Sequence, residues 1–345
     1  MRSITLAAVV LAIGGAAIIA TARAEPAAWK REGWSKTDFS RASINWREIR
    51  SGGPPKDGIP SIDRPRFMAV GEIRDLADVE AVVSLEIAGD ARAYPVRILI
   101  WHEIVNDIVA GRPVAITYCP LCNSALVFDR TLDAEVLDFG TTGKLRNSDL
   151  VMYDRQTESW WQQFTGEAIV GAMLGRELAM IPARLEAYAD FKARHPDGRV
   201  LVPNDPLSRS YGQNPYVGYD TAARPFLYDG ALPDGIEPMA RVVVVRPGSG
   251  VAPIIVTLEH LRSRDQLDVG PGLKVWWRPG QASALDTSDI ARGRDVGTVE
   301  AVRVAADGTS ELVVTDVTFA FAAHAFHPDI EIIGIERPRI EGTGR

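Results

Sequence analysis

The sequence predicts an α+β fold dominated by β structure, one large domain of mostly antiparallel strands and hairpins with an internal duplication. Three observations carry that reading. Short runs of alternating apolar residues recur along most of the chain. Clusters of Gly, Pro, Asn and Asp punctuate them, and few stretches show helical periodicity. A hydrophobic share of 46% over 345 residues is enough for a well-buried core. The net charge of −7, with no basic stripe, excludes nucleic acid as a partner, because phosphate binding needs clustered Lys and Arg.

The chain begins "MRSITLAAVVLAIGGAAIIATARAEPAAW". A positive start at Arg2, an apolar run from Ile4 to Ala20 and the small-residue site Ala22-Arg23-Ala24 predict a signal peptide over residues 1–24. The expectation is a periplasmic or secreted protein with no stable membrane insertion after cleavage. Such compartments permit disulfides, so a cysteine pair can be either oxidised or metal-bound.

Residues 25–60 read as an N-terminal arm ending in "SGGPPKDGIP", and residues 61–345 as the β-rich domain. "EAVVSLEI" and "ARAYPVRI" predict a hairpin around a three-residue turn, Ala88-Gly89-Asp90. "LIWHEIVNDIV" has Ile100, Ile104, Val105 and Ile108 at helical spacing, and "PVAITYC" follows as a strand. "ALVFDR" with "EVLDFG", then "LVMYDRQ" with "SWWQQFTG", predict two further hairpins. "LEAYADFKARHPDGRV" predicts a second helix, and the Pro-, Gly- and Tyr-rich stretch from Asp205 to Gly235 a long connection packed by its aromatics. The remainder, through "TFAFAAHAF", reads mostly as strand.

Displaced by 159 residues, the sequence aligns with itself without gaps: Gly89 with Gly248, Leu99 with Leu258, Pro120 with Pro279, and Ser124-Ala125-Leu126 with Ser283-Ala284-Leu285. The implied halves are 67–170 and 236–335. Cys119, Cys122 and His102 face Arg278, Gln281 and Leu261, so the candidate ligands belong to the first half alone.

The only two cysteines stand in "TYCPLCNSALVFDR". A strand, Cys-Pro-x-Cys and a second strand make a metal knuckle, which supplies two of the ligands a tetrahedral ion needs. His102 is the nearest candidate third ligand in sequence, and His327 a candidate additional one. Two thiolates with an imidazole suit zinc or copper. Two alternatives stay open: a thiol–disulfide redox module, and a non-catalytic peptide- or glycan-binding protein. A disulfide closing so short a loop contributes only about 2 kcal/mol. A redox pair usually opens a helix, which "SALVFDR" does not predict. For the binding reading, Trp160-Trp161 and Trp276-Trp277 offer aromatic surface, although strand alternation buries one of each pair. Asn147, Ser148, Asp149 and Arg155 are candidate pocket-lining residues for a small molecule or peptide. No nucleotide cofactor is expected, since the chain has neither a phosphate loop nor a dinucleotide fingerprint, and no reaction is specified.

The motifs "WHEIVND", "YCPLCNSALVFDR", "FGTTGKLRNSDLVMYDRQTESWWQQFTGEAIVG" and "FAFAAHAFHPD" resemble the exported proteins grouped as domain of unknown function 3179, over roughly Phe67 to Ile333. The resemblance implies a bacterial or archaeal extracytoplasmic setting and one domain across both halves. It implies no chemistry. Asn123 stands where a glycine often follows the second cysteine in that family, and Asn also tolerates a left-handed turn.

Overall fold

Alternating apolar residues make Ala81–Ile87 and Asp90–Pro95 an antiparallel hairpin pairing Ile87 with Asp90. The turn is therefore two residues, Ala88 and Gly89, not three. Both have positive φ, 48° and 82°, the conformation that matches the twist of paired strands. These elements come from a computed structural model, which describes residues 26–335. The expected signal peptide lies outside the described residues.

Helical periodicity misleads over residues 99–109. The helix is Val96–His102 and stops at Glu103, whose φ is 58°; Ile104–Val109 is then a strand. It pairs along its length with Arg112–Cys119, which pairs in turn with Ser124–Asp129. The β-branched residues of 104–109 suit a strand covered on both faces, and that overrides the spacing. "ALVFDR" consequently pairs with Arg112–Cys119 and Met180–Ile181 rather than with "EVLDFG". The second helix shortens to Tyr188–Arg194, after a strand at Arg184–Ala187. "TFAFAAHAF" is a strand only to Phe319; Ala320–Phe326 is helix, consistent with its alanine content. Asp205 to Gly235 is irregular apart from one short 3-10 turn at Tyr219–Thr221.

Two sheets share one strand order. In the first, Arg184–Ala187, Ala81–Ile87, Asp90–Pro95 and Arg199–Val202 lie side by side, with Arg66–Ala69 on the outer edge. In the second the order is Val314–Phe319, Arg241–Arg246, Ile254–Thr257 and Ile332–Ile333. In each, the third and fourth of these strands are parallel and the other pairs antiparallel. Each sheet is matched by a four-stranded antiparallel meander: 104–109, 112–119, 124–129 and 180–181, against 266–270, 273–278, 298–304 and 310–312. The helices Tyr188–Arg194 and Ala320–Phe326 are each followed by His-Pro-Asp, at His195 and His327. This correspondence runs to Val202 in the first unit.

What the second unit lacks is a further sheet. Phe139–Arg146, Asp149–Asp154, Trp160–Gln162 and Ala168–Val170 interrupt the first meander between its third and fourth strands, with Ile49–Ser51 at the edge. Trp29, Trp34 and Phe39 of the arm pack on one face of it against Trp160, while Trp161 enters the main core beside Phe139. Both tryptophans are fully buried because both faces are covered. Trp276 and Trp277 are half-buried. The main core joins residues of both units, from Val83 and Ile116 to Val242 and Phe321. Among the described residues no helix is long and apolar enough to cross a membrane.

Candidate metal centre

The strand Arg112–Cys119 delivers Cys119 at its last position, and the turn Pro120 to Asn123 returns the chain so that Ser124 pairs with Cys119. Asn123 adopts the left-handed conformation at φ 53°. Its amide donates to the Val317 carbonyl at 2.7 Å, and its side-chain oxygen accepts from the Tyr118 hydroxyl at 3.3 Å. The second unit secures the rest of the turn. The Cys122 carbonyl accepts from the Phe319 amide at 3.1 Å and the Thr318 hydroxyl at 2.7 Å. Asp316 accepts from the Ser124 hydroxyl at 2.6 Å and the Ala125 amide at 2.9 Å.

The third donor comes from the inserted sheet. Asn147 and Ser148, with φ of 53° and 62°, form the two-residue turn that pairs Arg146 with Asp149 and aims the Asp149 carboxylate at the cysteines. Ligand atoms of Cys119, Cys122 and Asp149 all lie within 4.8 Å of one another, and all three residues are buried. Asp149 Oδ2 accepts from Gln162 Nε2 at 2.6 Å and from the Phe164 amide at 3.0 Å. Oδ1 is buried without a partner. The Cys119 thiol points to the Ser148 carbonyl at 3.8 Å, and neither cysteine is in a disulfide.

Burial sets the electrostatics. It pushes the Asp149 carboxyl up to about 7, and raises both thiols, Cys122 more strongly than Cys119. Burial, with the Asp149 charge second, also pushes the Glu103 carboxyl up to about 8. A bound cation inverts this order, because it favours the deprotonated form of every donor.

The connection from Asp205 to Gly235 covers the site. The Tyr219 hydroxyl donates to the Leu121 carbonyl at 3.1 Å and accepts from the Phe226 amide at 3.1 Å, while Ser148 Oγ donates to the Phe226 carbonyl at 2.5 Å.

Of the other sequence candidates, the two histidines and Arg155 lie outside the cluster. His102 is outside the cluster: its ring nitrogens contact the Pro60 carbonyl at 2.7 Å and the Tyr211 hydroxyl at 2.8 Å, and its ring stacks on Tyr211. His327 is also outside it, against Phe164, with Nε2 buried and unpartnered. Arg155 reaches Asp63 at 2.6 Å and Ser61 at 2.7 Å and so ties down the start of the domain. Asn147 and Ser148 contribute their turn. Glu103 was visible inside "WHEIVND", but nothing in the spacing says which way its carboxyl points.

A buried dithiol–carboxylate cluster, set between an inserted sheet and two units of like topology, defines a β-rich α+β domain able to coordinate a metal ion. The chain belongs to the family described as "Protein of unknown function (DUF3179)", whose family model matches residues 56–330. No curated protein and no solved structure matches the chain.

Proposed function

We propose that the protein is an extracytoplasmic metalloprotein that holds one zinc ion through Cys119, Cys122 and Asp149. The observation that carries this reading is the grouping of three ionisable donors within 4.8 Å in a buried site where Asp149 Oδ1 has no partner. Burial penalises the charged form of Asp149 and of both cysteines, the thiols are only weak donors to the carboxylate, and a divalent cation compensates all three together. Thiolates admit zinc and copper alike, but a carboxylate in place of an imidazole is a hard ligand and favours zinc. Three protein ligands leave a tetrahedral ion one position for water or a small ligand, and an ion held this way supplies Lewis acidity. The chain's own part is to orient Asp149 through Gln162 and the Phe164 amide, and to hold the covering segment in place through the Tyr219 hydroxyl and the Phe226 backbone.

The redox reading has less support. Both thiols are buried, burial raises both, and Cys122 leads into a turn and the strand Ser124–Asp129 rather than a helix. The glycan or peptide reading loses Trp160 and Trp161, which are fully buried.

Elemental analysis of protein prepared without chelators, as wild type, Cys122→Ser and Asp149→Asn, tests the proposal. The expected result is about one zinc per chain in the wild type and a clear loss in both variants. Wild-type protein free of metal, or equal content in all three, overturns it. Loss of two free thiols on mild oxidation would favour the redox reading instead.

A further inference from the structure

Beside the cluster, on the side of Phe164, a second group of polar atoms has no partner. Arg246 ends the strand Arg241–Arg246, and His327 follows the helix Ala320–Phe326, so both come from the second unit. Arg246 Nη2 donates to the Phe164 carbonyl at 3.2 Å, and its guanidinium lies 5.0 Å from the centre of the Phe164 ring. The His327 ring is 5.9 Å from that ring, and Phe326 stacks on it at 4.7 Å. The Phe164 amide is the one that holds Asp149. Phe164 thus has the metal-site carboxylate on its amide side and Arg246 on its carbonyl side.

Arg246 Nη1 and His327 Nε2 are both buried with no hydrogen-bond partner, and the carboxylates whose charges reach Arg246, Asp316 and Asp149, make no hydrogen bond to it. Asp316, on the neighbouring strand, makes its hydrogen bonds to Ser124 and Ala125 and acts on Arg246 through its charge alone. The Asp316 and Asp149 charges favour the guanidinium without a direct ion pair, but a buried N–H donor left unbonded is itself costly, and a ligand that accepts from Nη1 offsets that cost. The first unit shows the contrast: His195, at the same place after its helix, has Nε2 3.7 Å from Glu86. At the strand end opposite, the second unit carries Arg246 where the first carries Ile87.

We propose that Arg246 and His327 form, next to Asp149, a binding site for the carboxylate group of a small ligand. The free Nη1 donors of a planar guanidinium suit a carboxylate, and His327 adds a donor in its Nε2–H tautomer. The stacked Phe164 and Phe326 rings are the apolar groups beside these donors. Neither Arg246 nor His327 belongs to the metal cluster, so this proposal stands apart from the zinc reading.

The test is calorimetric titration of acetate, with acetamide as neutral control, into chelator-treated full chain. Removing the metal separates failure here from failure of the zinc assignment. Arg246→Lys keeps the charge near Asp316, and His327→Phe keeps a ring against Phe164; unchanged circular dichroism and urea midpoints confirm that both fold. Saturable acetate binding is expected, absent for acetamide, and roughly ten- to a hundredfold weaker in Arg246→Lys, the size of one charged hydrogen bond. His327→Phe should also bind more weakly. No saturable acetate binding in the wild type, equal binding of acetamide, or affinities unchanged in both variants overturns the site.

Discussion

Glu103 shows how a fold requirement and a site requirement are told apart at a single residue. Its φ of 58° resembles strain at a functional position, yet Asp265 in the second unit has φ 59° and the same two backbone bonds. Glu103 and Asp265 each donate their amide to the carbonyl four residues back, Leu99 or Leu261. They accept from Tyr118 and Trp277 respectively, at 2.8 and 2.9 Å. The helix-to-strand turn therefore demands the conformation in both units. Only the burial differs: Asp265 is exposed, while Glu103 is 8% exposed and within the influence of the Asp149 charge. Raised from its ordinary 4.5 to about 8, Glu103 binds its proton in the folded chain where the unfolded chain has released it. Between those values the native state holds more protons, so stability must fall as pH rises. Urea midpoints of metal-free protein should decline from about pH 5 to pH 8, and Glu103→Gln should flatten that decline. The same slope in both proteins would remove Glu103 as its source.

At the level of elements, the hairpins at Ala81–Pro95 and Asp149–Gln162 are legible from apolar alternation around a turn signal, whereas "ALVFDR" pairs with strands other than the one the sequence suggests. Two errors share a physical cause. Residues 104–109 have apolar groups on both faces, so period 3.6 and period 2 describe them equally well, and pairing with Arg112–Cys119 decides. In 319–327 the aromatic-alanine alternation mimics a strand, but only Phe319 and the residues before it have a partner strand. The turn at Ala88-Gly89 allows a direct check. Ala88 sits at φ 48°, where a Cβ is unfavourable, so Ala88→Gly should stabilise the protein by about 1 kcal/mol. Thermal or urea unfolding reads this directly, and a destabilised variant would show that Ala88 is not strained.

Across the whole molecule, we infer that the shared order of sheet, meander and His-Pro-Asp helix reflects duplication of one unit, into whose first copy the Asp149 sheet was inserted. This explains which part of the site the sequence could disclose. Cys119 and Cys122 share one turn, so their partnership is readable at short range. Asp149 arrives from an inserted sheet, and only the packing of that sheet on the first meander brings it to the sulfurs. His102 was the nearest candidate in sequence, and nearness in sequence is not nearness across sheets. The second unit in turn braces the cysteine turn through Asp316. Asp316→Ala, which strands the Ser124 hydroxyl and the Ala125 amide, should cost about 2 kcal/mol or more. It should also lower metal content, although Asp316 is not a ligand. Full metal content at reduced stability would uncouple the brace from the centre.

The cover formed by Tyr219 and Phe226 bears on time rather than on affinity. Tyr219 and the Phe226 backbone are fastened to the Leu121 carbonyl and the Ser148 hydroxyl, in the two turns that carry the donors, so release of the proposed ion should slow as those fastenings strengthen. Residence would then be timed by an opening of the chain itself, and a scavenger outside, however concentrated, could only wait for it.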